Sequence, residues 1–178
     1  MGKFRKYDVS FSGLKLGSHE FEFNITQSFF DLFEFNQDFA HPDLKVCLNL
    51  DKKNNFLELN FILSGTVELI CDVSNESYHQ ELKGSQEVIV KFGDDYDFSD
   101  DEVWMVPHGE HAINVAQLIY EMCLLAVPVK RIHPDVISGE SHSEMIELLE
   151  KYSPHEIEEN SDEDEIDPRW EALKKLKK

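Results

Sequence analysis

The chain has 178 residues, 41% of them hydrophobic and 30% charged, and its 17 basic and 36 acidic side chains leave a net charge of −19. That size and apolar content support one proper hydrophobic core with appendages, while the acidity excludes a surface built to attract phosphate and favours basic partners. No apolar run approaches the roughly 20 residues that span a bilayer, MGKFRKYDVS has no apolar signal region, and three cysteines on apolar faces, Cys47, Cys71 and Cys123, fit reduced core thiols, so a soluble cytoplasmic protein is expected.

Taken in order, Tyr7 to Phe11, Leu14 to Leu16 and the alternating Phe21, Phe23 and Ile25 read as short strands around Gly13 and Gly17 that extend the main sheet. The next stretch, SFFDLFEFNQDFAHPD, is dense enough in Phe29, Phe30, Phe33 and Phe35 for a short helix or a packed loop between Ser28 and Pro42. Its rings either cover one end of the sheet or line a partner groove.

Leu44, Val46, Leu48 and Leu50 then alternate as a strand before turn residues Lys52 to Asn55. The longest strand signal follows in FLELNFILSGTVELICDV, where Leu57, Leu59, Phe61, Leu63, Val67, Leu69, Cys71 and Val73 share one parity, interrupted only by Gly65. At about 3.3 Å per residue this ribbon is longer than a small domain is wide, so a bend is expected at Ser64-Gly65. After the turn Ser74-Asn75-Glu76, a third strand runs through Tyr78, Leu82, Val88, Val90 and Phe92, and it sets Gly84-Ser85 nearly opposite Ser64-Gly65. Paired glycines imply a curled antiparallel β-sheet, half-barrel-like.

GDDYDFSDDE places six acidic residues around two rings. Asp94, Asp95, Tyr96, Asp97 and Phe98 thus form a candidate bait for a basic peptide, or else a solvated loop. Val103 to Val106 is a short strand. Asn114 is expected to cap the clearest helix, with Gln117 completing a capping box, Ile113 and Leu118 a staple, and Pro128 a stop. VAQLIYEMCLLAV is apolar nearly all round and should lie buried on the sheet, which makes the fold α+β. Val129 to Gly139 reads as loop and Ser143 to Tyr152 as a helix.

Charge then divides the chain: residues 1–139 carry −12, residues 140–167 carry −11 and residues 168–178 carry +4. Ser153 to Ile166 has too few apolar groups to pack and reads as a mobile acidic linker. In DPRWEALKKLKK, Asp167 caps a mini-helix with Pro168 at its first position, Arg169 among its basic residues, and Trp170, Leu173 and Leu176 along one face. That helix either docks on its own acidic body or engages a partner. The expected parts are an α+β core domain over 1–139, an acidic helix and linker over 140–166, and a mini-helix over 167–178.

Catalytic signatures are thin: there is no Gly-rich phosphate loop, no nucleophile elbow and no carboxylate pair at a telling spacing. His108, Glu110 and His111 offer two imidazoles and a carboxylate to a metal without a third nitrogen or sulfur ligand nearby, which gives the alternative reading of a metal-dependent enzyme. Cys71 to Ser74 has the spacing of half a zinc knuckle with a hydroxyl in place of the second sulfur, and serine is a poor zinc ligand.

The hairpin through SGTVELICDVS, the buried helix ending LLAVPVK and the terminal DPRWEALKKLK together resemble the YceD family of large ribosomal RNA subunit accumulation proteins, over roughly Leu44 to Lys178. Members commonly carry Cys-x-x-Cys at the position of Cys71 to Ser74, and further cysteines after the buried helix. This chain departs from that pattern, with Ser74 for the second cysteine and only His133 in VKRIHPDVISGE. The resemblance implies a role in accumulation of large-subunit rRNA, meaning ribosome biogenesis, and the thin catalytic signatures favour a non-catalytic factor. Charge adds an expected partner, a basic ribosomal protein or the pre-ribosomal large subunit, with any rRNA contact indirect, no cofactor and no membrane.

Overall fold

A computed structural model describes residues 2–139 and 144–153. The fold is α+β, and its centre is an open five-stranded sheet of order β2-β3-β4-β5-β6. The three long alternating stretches become an antiparallel meander, β3 (Ala40–Lys52), β4 (Phe56–Ile70) and β5 (Ser77–Gly93), with β2 (Gly17–Thr26) paired along β3. Parity sorts the faces as expected. Leu57, Leu59, Phe61, Leu63, Val67 and Leu69 are at most 1% exposed, whereas Ile62 and Ile70 on the opposite face remain open to solvent.

Gly65 is in place for a reason that the strand pattern does not contain. Between the pairs Ala40↔Glu68 and Asp43↔Thr66, β3 carries one extra residue, a β-bulge with His41 at φ 47° and Pro42 buried within it. The bulge presses the β3 backbone onto Gly65, whose φ is 143° and whose Cβ, were there one, would lie 2.2 Å from the Asp43 carbonyl oxygen. Gly84 is opposite Leu63, and a Cβ there would meet only Leu63 and Met122 side chains at 3.8–3.9 Å.

The sheet is mixed, which corrects the antiparallel expectation, because β6 (Val103–Pro107) runs parallel to β5 from Ile89↔Val103 to Gly93↔Pro107. Loop 94–102 makes this possible by first running back along the edge that β6 turns away from β5. There Asp97 and Met105 exchange both backbone hydrogen bonds at 3.0 and 2.7 Å. A second correction concerns the N-terminal stretch. After a 3-10 turn at Arg5–Tyr7, β1 (Asp8–Ser10) pairs with β7 (Ala112–Asn114) in a separate two-stranded sheet. Leu14 to Leu16 form no strand, and the Phe11 and Leu14 carbonyls instead accept Lys52 Nζ at 2.8 and 3.0 Å.

The single turn α1 (Gln27–Phe30) buries Phe29 and Phe30, and Phe33 stacks on Tyr120 at 4.0 Å. Those rings cover the sheet end, while Phe35 stays exposed. α2 (Ala116–Leu125) buries Ile119, Met122 and Cys123 among others. Its cap differs from the expected box. Asn114 belongs to β7, so Val115 takes the cap position without a side-chain bond, and Gln117 donates to Glu121 at 2.9 Å. Asn114 still accepts the Ala116 N–H at 3.1 Å while its amide donates to the Phe4 carbonyl and the Asp8 carboxylate, because pairing with Asp8 holds it in the strand.

Where loop was expected, α3 (Pro134–Ser138) forms: Pro134 suits a first turn, His133 Nδ1 accepts the Asp135 N–H, and Gly139 ends the helix at φ 75°. The chain divides after Ser141, and α4 (Glu144–Tyr152) matches the expected helix and is described by itself. The expected linker, Ser153 to Ile166, lies outside the described residues from Pro154 on, as does the mini-helix at 167–178.

Candidate partner-binding groove

The acidic loop owes its shape to its own carboxylates. Asp97 accepts the Ser99 N–H at 3.0 Å and the Ser99 hydroxyl at 2.7 Å, and Asp100 accepts the N–H groups of Glu102 and Val103 at 2.8 and 3.2 Å. These local bonds replace backbone partners that a loop of this kind lacks. The two Ser99 bonds also hold the Asp97 carboxyl below its ordinary range, the side chain contributing most. Among the predicted residues, Asp94 and Asp95 are exposed beside the end of β5, while Tyr96, Asp97 and Phe98 are drawn to β6.

The two rings have fixed neighbours. Phe98 meets Trp104 edge-on at 5.1 Å, and Tyr96 sits 5.8 Å from Phe98. The Tyr96 phenol is raised above its usual range, first by hydrogen bonding toward the Glu110 carboxylate, then by burial and by that carboxylate's charge. Both rings stay about half exposed, Tyr96 at 54% and Phe98 at 50%.

Across from them, Leu118, Met122 and Leu125 recur at i, i+4 and i+7 along α2, and the space between is a cleft of about 750 Å3. Four carboxylates, Asp8, Asp101, Glu110 and Glu121, stand among its lining residues, and no Lys, Arg or His does among the described residues. The α2 wall was hidden in the sequence, where Leu125 reads as one more core position in an apolar run. It is 86% exposed.

His108, Glu110 and His111 are not brought to a common point. The His108 ring stacks on Phe92 at 6.3 Å, Glu110 faces the cleft through Tyr96, and the His111 carbonyl accepts the Phe11 and Ser12 N–H groups. Among the described residues no group of three or more His, Cys, Asp and Glu stands where it could hold a metal ion.

The Cys71 turn has its own chemistry. Cys71 Sγ accepts backbone N–H groups from Val73 and Ser74 at 3.4 Å each and from His133 at 3.2 Å. Burial pushes the thiol up, but the Ser74 side chain and these backbone N–H groups together outweigh it and leave the thiol below its ordinary value. Two bonds, from the Asp72 N–H to the Arg131 carbonyl at 2.7 Å and from the Arg131 N–H to the Asp72 side-chain carboxylate at 2.9 Å, tie the turn to the segment before α3. The residues present do not fit the zinc site that the resemblance suggests: a hydroxyl replaces one thiolate, His133 Nδ1 caps α3, and among the described residues no third metal-ligating side chain stands with Cys71.

A family model described as "Large ribosomal RNA subunit accumulation protein YceD" matches residues 59–177, from within β4 through the basic C-terminal stretch. No curated protein and no solved structure matches the chain. With well over half of its length in that match, the chain belongs to the YceD family, whose description ties it to accumulation of the large ribosomal RNA subunit.

Proposed function

We propose that the protein is a non-catalytic, cytoplasmic factor of large-subunit assembly that binds a basic ribosomal protein, or a basic face of the pre-ribosomal particle, and so supports rRNA accumulation. The observation that carries this reading is the half-exposed ring pair and acidic cleft on a body of net charge −12. An RNA binder gains affinity by releasing phosphate counterions from a basic stripe, and a body of this sign repels phosphate. An acidic, aromatic surface instead attracts lysine-rich protein and gives it apolar anchorage.

In this reading the sheet is curled as a half-barrel that holds α2 and the loop as one rigid surface. The terminal segment, with Asp167, Pro168, Arg169, Trp170, Leu173 and Leu176, makes a second contact, and its lysines touch rRNA only secondarily. The test is binding of the full chain to purified large-subunit proteins and to large-subunit rRNA fragments, with crosslinking on pre-ribosomal particles. Tight binding to a basic ribosomal protein that weakens as salt rises is expected. Binding to rRNA fragments at near-physiological salt, with no basic ribosomal protein bound, would overturn the proposal.

A further inference from the structure

We infer that the cleft between loop 94–102 and α2 is a receptor for one basic, amphipathic helix of a partner protein; the inference rests on the partner class proposed above and adds its shape. One wall is the half-exposed Phe98 against the largely buried Trp104, the other the stripe Leu118, Met122 and Leu125, of which Leu125 is exposed while Leu118 and Met122 show only their edges at 9% and 7%, so the apolar lining follows the α2 axis. A helix with apolar residues at matching spacing lays its stripe into such a groove. An added β-strand is disfavoured there, because Asp97 already occupies the outer edge of β6 at Met105.

Charge selects the sign of the helix. None of the four cleft carboxylates joins an ion pair among the described residues, where the ion pairs lie elsewhere. Asp8 and Glu121 accept neutral amide donors, from Asn114 and Gln117, and Glu110 has the neutral Tyr96 phenol beside it. Lysines or arginines flanking an apolar stripe would supply the missing countercharge at the rim, where it steers encounter and fixes orientation.

The probe is a Lys/Leu peptide of roughly four turns, long enough to form a helix on binding, compared with an isomer of the same composition whose leucines are out of helical register. Titration into the full chain is expected to show the patterned peptide binding at least roughly tenfold tighter than the isomer, and Leu125→Ser and Phe98→Ala, both at exposed sites, each costing a similar factor. Glu110→Gln combined with Glu121→Gln should flatten the salt dependence. Equal binding of both peptides, or no effect of Leu125→Ser, overturns the inference. So does a photocrosslinker at position 125 that captures residues 167–178 of the same chain, or a second copy, in place of the peptide. If a ribosomal protein binds but Leu125→Ser leaves it unaffected, the helix inference fails while the proposed function stands; if the patterned peptide fills the cleft but no basic ribosomal protein binds, the reverse holds.

Discussion

Gly65→Ala is expected to be one of the most damaging single-atom additions in the protein. The new Cβ would lie 2.2 Å from the Asp43 carbonyl oxygen and 2.7 Å from Leu44 Cα, both backbone atoms of β3 that can move only with the strand. A φ of 143° is open to glycine and strained for alanine. Forcing a side chain into such a region costs about 1–3 kcal/mol, and overpacking against a fixed neighbour adds about 1–3 kcal/mol. Against this, alanine restricts the unfolded chain by about 0.4–1 kcal/mol. A net loss of about 3 kcal/mol lowers the melting temperature by roughly 6–12 °C for a chain of this size. Gly84→Ala is the control, since its Cβ meets side chains at ordinary contact distances, and it should melt within about 2 °C of the parent. Thermal unfolding followed by circular dichroism measures both. If Gly65→Ala melts with the parent, the β3 bulge does not press on position 65 and the account of that glycine is wrong.

Truncation after Ile166 removes Trp170, Leu173 and Leu176 and should leave folding intact while reproducing the loss of large-subunit rRNA in cells; a large fall in melting temperature would show those side chains to be part of the core. Ser99→Ala removes the largest stabiliser of the Asp97 carboxylate, so the Asp97 pKa read by carboxyl NMR should climb toward its ordinary 3.8. Because that folded-state pKa is depressed, the contribution of Asp97 to loop order is present above pH 3.8 and lost as pH falls below it, and an unmoved pKa in the variant would refute the assignment. Burial pushes the Cys123 thiol up to about 12, so it should resist iodoacetamide at pH 8 until the protein unfolds, as mass spectrometry of the labelled peptides will show. Lys52→Met, which takes the charged donor from the Leu14 carbonyl and leaves the Phe11 carbonyl with the Leu14 N–H alone, should cost about 1–3 kcal/mol in urea unfolding.

Much of this protein was legible along the chain because side-chain period is a local property. The parity of Leu57 to Leu69 already named the core face of β4, the apolar run after Asn114 named the buried helix, and Ser143 to Tyr152 gave α4 within a residue. The motifs near SGTVELICDVS and DPRWEALKKLK were also enough to indicate the family. Other features depended on contacts between residues far apart in sequence, which a period does not record. Asn114 looks like a helix cap in isolation, yet pairing with Asp8 keeps it in a strand. Gly65 stands out in the strand pattern, but the bulge in β3 that excludes its side chain is not written there. The strand Val103 to Val106 has no direction of its own, and it runs parallel to β5 because Asp97 and Met105 bind the returning loop to its far edge. The same is true of the cleft: Tyr96 and Phe98 announced an aromatic acidic loop, but only the tertiary structure set them opposite Leu118 and Leu125, since two faces become one site when the chain between them folds back.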